Sequence, residues 1–466
     1  MQTSTYQGEL LSHQPPTPCS NRIQCDEAKP NCQNCEKSQR ICLDANAVKQ
    51  TNFSIHIEND FASGKSKRPR GPRSVLSIPH LQDDLKTRAL TFYLNTHTQP
   101  LADYPGAPGC LSGSVSFWKL SGRSSRMVDL GLSAVALVVY SRTHQQPAAA
   151  EEGDRTYFRL LQIMQSRIGD LSNIEDFDAW LLTIRLMGRY EGANHGPTDV
   201  ESAELFNQLR NWAHHDGAQV ILKLWNENPR RGTATYIINQ ARRGLIRTSF
   251  LRGIPLLCWM LDGSRFGEKD LDLHYDRVEV QLANLRYATT ILEQDDSPEP
   301  AKIDDLNKQA EKLDQALQDW ILQIPSKQSY KVHSVQDEDP RSRTHFYSPI
   351  VCSFSKPEYA AAWLQYFSTR MLIISTRLRI FSSQQNHLND TYKKQKQDCN
   401  AILKIMAESL ASTVPFVLGR FNIEDPSQAP ILVSEKEEIK PCHAMMVIWP
   451  LSVASGLKGM DKKQQL

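Results

Sequence analysis

The sequence has no long hydrophobic run. Its longest apolar stretch, Leu130–Tyr140 (LGLSAVALVVY), is far too short to cross a bilayer as a helix. The first residues, MQTSTYQGELLSHQPPTP, lack a basic start, an apolar centre and a small-residue cleavage site, so they do not read as a secretion signal. An excess of charge of one sign is also missing. With 54 Lys and Arg against 52 Asp and Glu, the formal net charge is +2, and any attraction for a polyanion must come from a local patch. No Gly-x4-Gly-Lys-Ser/Thr phosphate loop, no Gly-x-Gly-x2-Gly turn and no Gly-x-Ser-x-Gly elbow occurs. Alternating strand patterns are sparse and Asn-Gly hairpin turns are absent. No short repeat of solenoid type is found. These absences predict a protein of the cell interior that is neither a membrane protein nor an enzyme of a common motif class.

Ten cysteines are present, and they are unevenly spread. Five lie between Cys19 and Cys42, while Cys110, Cys258, Cys352, Cys399 and Cys442 are scattered. A disulfide framework belongs to short secreted chains, so a reducing compartment with metal binding at the N-terminus is the expectation. The cluster reads Cys25-x6-Cys32-x2-Cys35-x6-Cys42. A Cys-x2-Cys step lets two thiolates reach one tetrahedral zinc ion from a tight turn.

The rest of the chain divides by composition. Residues 1–18 are polar and proline-containing and are expected to be disordered. Residues 19–45 hold the cysteines. Residues 46–80 are poor in large apolar groups and carry GKSKRPRGPR, with Lys65, Lys67, Arg68, Arg70 and Arg73. Proline and glycine keep such a segment extended, and it reads as a nuclear-import signal or a phosphate tether, set against a plain solvated linker. From 81 to 466 helical periodicities dominate, and the expected fold is all-α. Tyr157, Leu160, Leu161 and Met164 form one stripe, and Ile174, Phe177, Leu181, Ile184 and Met187 another. Ile303, Leu306, Ala310, Leu313, Leu317, Trp320 and Ile324 repeat at threes and fours, and Ala361–Leu378 is apolar nearly all round, as in a buried helix. Charged, Gln-rich loops are expected at 294–302 and 326–347. The 303–324 stripe has near-heptad spacing, which allows pairing with a second chain as a homodimer; its shortness favours packing into its own domain.

The cysteine segment resembles the fungal binuclear zinc cluster, the Zn2Cys6 family of transcription factors. Cys25, Cys32, Cys35 and Cys42 match the family's third to sixth ligands, and Cys25-Asp26 and Pro30 match its loop. The first half departs from the pattern. The first two ligands would fall at positions 15 and 18, which are both proline, and Cys19 is one residue out of register. The family's basic interval between its second and third cysteines is reduced here to Arg22. The resemblance implies zinc as cofactor and CGG-type DNA half-sites as target. Lys29, Lys37 and Arg40 remain beside Arg22 to meet phosphates. By ligand count, one zinc can be held by Cys32, Cys35, Cys42 and either Cys25 or Cys19, whereas two cannot. Zinc binding supplies on the order of 10 kcal/mol to such small modules, so the missing pair bears on whether the module folds. Three origins fit the departure: a first exon out of place, a paralogue that has lost DNA binding, and a working one-zinc variant.

Four stretches of the body resemble the helical regulatory domain that follows such clusters: RYE (189–191), WAHHDGAQVILKL (212–224), RRGLIRTSFLRG (242–253) and MMVIWPLSVASGLKGM (445–460). That likeness implies a nuclear domain that modulates transcription, contacts the transcription machinery and receives small-molecule signals. The family's domain continues past the last of these stretches, whereas this sequence stops at Leu466, so the final helix of such a domain is expected to be missing. Among single residues, His214, His215 and Asp216 look ligand-like but stand alone, and adjacent helical positions do not share a face. His80-x3-Asp84 has an acyltransferase-type spacing with no companion motif. Trp180, Trp212, Trp225, Trp259, Trp320, Trp363 and Trp449 read as core residues, and Cys258 as a buried thiol.

Overall fold

A computed structural model of the chain describes residues 84–97, 111–171, 174–194, 212–335, 345–383, 390–423, 430–433 and 437–457. The chain divides into two units, Met1–His80 and Leu81–Leu466, and every described residue belongs to the second. The cysteine cluster and the basic run lie outside the described residues.

The fold is all-α. The described residues form twelve α-helices: α1 Leu85–His97, α2 Leu111–Leu120, α3 Arg126–His144, α4 Pro147–Ile168, α5 Phe177–Asn194, α6 Ala213–Glu227, α7 Tyr236–Arg252, α8 Asp270–Glu293, α9 Pro300–Leu322, α10 Pro357–Ser382, α11 Asp390–Val417 and α12 Pro441–Gly456. None is long and apolar enough to cross a membrane. Four of them, α4, α9, α10 and α12, open on a proline in the first turn, where its missing N–H costs nothing. Asp84 precedes α1 and accepts from the Thr87 backbone N–H at 2.6 Å, as a helix cap does, while His80 of the His-x3-Asp spacing lies outside the described residues.

The helices pack in two groups. In the first, α3 lies against α1, α4 and α5, and its Leu130–Tyr140 stretch supplies buried Ala134, Val135, Ala136, Leu137 and Val138. In the second, α10 lies against α8, α9, α11 and α12. Helix α10 buries residues on all sides, including Leu364, Phe367, Met371, Ile373 and Ile374, as its uniformly apolar sequence predicts. The stripe of α9 is wholly consumed in this core: Ile303, Leu317 and Trp320 are at most 1 % exposed, covered by α8 and α10. That bears out the packing of this stripe into its own domain, since its apolar face has a partner within the chain and is not open to a second copy. The Trp320 indole donates to the Leu271 carbonyl at 2.9 Å, and Arg370 grips Asp314 with two bonds of 2.8 and 3.1 Å.

Several sequence expectations are corrected. Ile174 precedes α5 instead of opening it, although it packs on the same core. The 294–302 loop is cut short by α9, which begins at Pro300. Inside the expected 326–347 loop lies a strand, β1 Lys331–Ser334, antiparallel to β2 Ile350–Ser353; a second small ribbon pairs β3 Phe421–Asn422 with β4 Ile431–Leu432. Cys258 is exposed, because the turn Cys258–Met260 points Met260 inward (2 % exposed) and the thiol outward. Trp180, Trp225 and Trp320 are buried as expected, while Trp212, Trp259, Trp363 and Trp449 are half-buried.

The groups meet at α7 and α8 through buried charge. Arg242, 0 % exposed, donates to both carboxylate oxygens of Asp276 at 2.5 and 3.0 Å and to the Met260 carbonyl at 2.8 Å. Arg243 grips Glu268 with bonds of 2.7 and 2.5 Å. The turn that carries Glu268 can approach only because residue 263 is glycine. A Cβ there would overlap Asp276 Oδ2 and stand 2.7 Å from its Cγ. Burial raises the carboxyl pKa of Asp276 and of Glu279 against the lowering effect of neighbouring arginines. RRGLIRTSFLRG thus owes its first two arginines to ion pairing inside the domain.

Candidate functional site

The other side of α7 faces a cavity of about 330 Å³ enclosed by α2, α5, α6 and α7. Each helix presents a stripe at helical spacing. Helix α5 contributes Leu181, Ile184, Arg185 and Gly188; α7 contributes Ile237, Gln240, Ala241 and Gly244. Helix α6 contributes His214 and Ala218, which continue into the buried Ile221, Leu222 and Trp225. Helix α2 comes close because residue 113 is glycine, whose Cβ would sit 2.5 Å from the Tyr236 hydroxyl; its neighbour Ser114 lines the cavity.

The polar lining has one chemical character. It consists, among the described residues, of Arg185, His214, His215, Gln240 and Ser114, and none of these is a carboxylate. Ser114 and Gln240 are 1 % and 5 % exposed. The Arg185 Nη1 donates to Ser114 Oγ at 3.4 Å, a bond at the long limit of useful geometry. His214 Nε2 lies 2.9 Å from Glu191 Oε2, a close contact without hydrogen-bond alignment. Glu191 is in turn fixed by the Tyr157 hydroxyl, which donates to its Oε1 at 2.7 Å, and Tyr157 stacks on Tyr190 with ring centres 4.1 Å apart. Burial and the Glu191 bond raise the Tyr157 pKa, which keeps that phenol a donor. At the rim, His215 Nδ1 and Thr248 Oγ1 are 2.7 Å apart.

His214, His215 and Asp216 therefore do not stand alone, and they do not act together. They turn to Glu191, to Thr248 and to Arg252 respectively, and Arg252 also covers the Trp212 ring at 5.4 Å. Among the described residues no group of three or more His, Cys, Asp or Glu could hold a metal ion. The structural reading of the pair holds for Asp216 and the histidine partners, but the cavity itself was not foreseen. The signal was present in the 214, 218, 221, 225 spacing, which puts His214 on the apolar face of α6. Arg185 gives a similar signal, since it interrupts the buried stripe of α5.

A second depression, about 530 Å³, lies where α3 and α5 begin and α4 ends. Its lining mixes Arg126 and Arg167 with Asp170, Glu175 and Asp176. Asp176 already caps α5 through the Ala179 N–H at 3.0 Å and lies 3.5 Å from Arg123. The described lining thus carries charges of both signs.

The sequence-predicted ligands Cys19, Cys25, Cys32, Cys35 and Cys42, the phosphate-facing Arg22, Lys29, Lys37 and Arg40, and the basic run Lys65, Lys67, Arg68, Arg70 and Arg73 all lie outside the described residues. Three of the four body stretches singled out by sequence converge on the cavity: Glu191 from the first, His214, His215 and Ala218 from the second, Gly244, Leu245 and Thr248 from the third. Comparison with protein-family models, with curated proteins and with solved structures gives no match in any of the three.

Proposed function

We propose that the chain is a transcription regulator of the fungal zinc-cluster type, acting in the nucleus. The observation that carries this reading is the spacing Cys25-x6-Cys32-x2-Cys35-x6-Cys42 with Pro30 in its loop. In this reading Cys32, Cys35, Cys42 and either Cys25 or Cys19 hold a single zinc ion, because thiolates at tetrahedral spacing are what zinc requires. Arg22, Lys29, Lys37 and Arg40 meet DNA phosphates, a contribution that weakens as salt rises. Lys65, Lys67, Arg68, Arg70 and Arg73 carry the chain into the nucleus and add charge beside the duplex. The helical body supplies partner contacts with the transcription machinery.

The test uses the full chain on duplexes with CGG half-sites at physiological salt, beside a scrambled duplex, with zinc content measured on the same preparation. The expected result is one zinc per chain and preference for the CGG duplex, both lost in Cys32→Ala. Replacement of the five basic residues at 65–73 by Ala should reduce nuclear accumulation.

A second reading is favoured by Pro15 and Pro18 at the first two ligand positions. The protein is then a regulator that keeps its helical partner-binding body without gripping DNA. Equal affinity for CGG and scrambled duplexes selects that reading.

A further inference from the structure

The depression of about 530 Å³ where α3 and α5 begin and α4 ends has a floor and a rim of different chemistry. Met127, Ala179 and Trp180, all buried, form the floor. The exposed rim carries charge, and much of it is unpaired. Among the described residues Arg126, Arg167 and Glu175 make no ion pair, whereas Asp176 lies 3.5 Å from Arg123. The two helix starts are also finished differently. Helix α5 is closed by Asp176, which accepts from the Ala179 N–H at 3.0 Å. Helix α3 is open: Ser125 is extended before it, and its side chain caps no N–H of the first turn. Free N–H groups at a helix start carry partial positive charge, and Arg126 adds a full one beside them. A second feature lies on the floor. Trp180 is 7 % exposed, yet its indole N–H has no acceptor among the described residues. The indoles of Trp320 and Trp363, by contrast, donate to the Leu271 and Gln328 carbonyls at 2.9 and 3.0 Å. A buried indole usually finds an acceptor; this one lines an open volume instead.

We propose that this depression binds a free α-amino acid with an apolar side chain. The carboxylate goes to the open start of α3, where the first-turn N–H groups and the Arg126 guanidinium receive it. The ammonium goes to Glu175. The side chain lies on Met127, Ile174 and Ala179, and the Trp180 indole donates to a ligand oxygen. The rim decides for a zwitterion. A lone anion would leave Glu175 unpaired beside it, and a lone cation would meet Arg126 and Arg167. A ligand with both charges a few ångströms apart satisfies each end at once. A phosphate is disfavoured for the same reason, since its larger negative charge meets the acidic part of the rim. The site belongs to the helical body and stands whether or not the cysteine segment grips DNA.

The experiment is calorimetric titration of the full chain with leucine, methionine, phenylalanine and tyrosine near neutral pH. Each is set beside its N-acetyl derivative, which keeps only the negative charge, and its amide, which keeps only the positive one. At least one amino acid should bind about tenfold tighter than both of its derivatives, the worth of one charge-assisted hydrogen bond. Arg126→Gln should weaken that amino acid about tenfold and leave its amide unchanged. Glu175→Gln should weaken it about tenfold and leave its N-acetyl derivative unchanged. Both side chains are exposed, so the two variants keep the wild-type fold by circular dichroism. Absence of binding by all four amino acids, a derivative that binds as tightly as its parent, or undiminished binding to either variant overturns the proposal.

Discussion

Helix α7 separates two kinds of polar interior. On one side Arg242 and Arg243 are matched, group for group, by Asp276 and Glu268, and the space around them is closed down to a glycine at 263. On the other side Arg185, His214 and Gln240 face a cavity whose described lining residues include no carboxylate, with Glu191 reaching His214 from outside that lining. Both regions use charged or polar side chains, and α7 contributes to each. The difference is in what completes them. A buried ion pair that is internally satisfied fixes how elements meet, whereas a polar wall around open volume leaves space beside its side chains. The first kind is expected to contribute more to stability than the second.

The sharpest way to break this contrast is to open the closed side. Asp276→Ala leaves Arg242 buried without its partner and is expected to cost about 3–5 kcal/mol in urea denaturation of the full chain. Replacing both, Arg242→Met with Asp276→Leu, should recover most of that loss, since no uncompensated charge remains. A cost below about 1 kcal/mol for the single change would show that water or rearrangement satisfies Arg242, and the two sides of α7 would no longer differ. Next in size, Gly263→Ala should cost about 1–3 kcal/mol, because its Cβ forces Asp276 and Glu268 out of place.

Proton linkage gives a subtler discriminator. Glu279, 3 % exposed on α8, has a carboxyl pKa raised by burial above its ordinary 4.5, with Arg247 and Arg243 opposing. The folded state therefore binds more protons than the unfolded one between 4.5 and the raised value, and stability must fall as pH rises through that window. Relative to Glu279→Gln, the wild-type melting temperature should decline from pH 4.5 upward and level off beyond the folded pKa. A difference that grows instead with pH would mean that the arginines outweigh burial at this carboxyl. The smallest effect belongs to the open side: Arg185→Gln should change stability by no more than about 0.5 kcal/mol. A large loss would make Arg185 a structural tie and assimilate the cavity wall to the ion-paired side.

Much of the helical frame is legible in the sequence, and some neighbouring residues show why the rest is not. The stripe from Ile303 to Trp320 and the uniformly apolar run at 361–378 report burial through spacing alone, and both helices are where that spacing puts them. The same method assigned Cys258 to the interior from its apolar neighbours, yet a three-residue turn sends Met260 in and Cys258 out. The β1–β2 ribbon escaped detection because each strand has four residues and the partner begins nineteen positions away, at Ile350 after Lys331. At the candidate site, the ligand-like look of His214 and His215 was visible, but Glu191, Thr248 and Arg185 come from other helices and no local pattern links them.

By itself, then, the sequence determined the helical class, the buried stripes and the zinc-type cysteine spacing, because each depends on residues a few positions apart. The tertiary structure decided which charges are neutralised and which face a cavity. Arg242 meets Asp276 across 34 positions, and His214 is 23 positions from Glu191. A charged side chain becomes a tie when its counter-charge is close, and only the fold brings positions so far apart in sequence together.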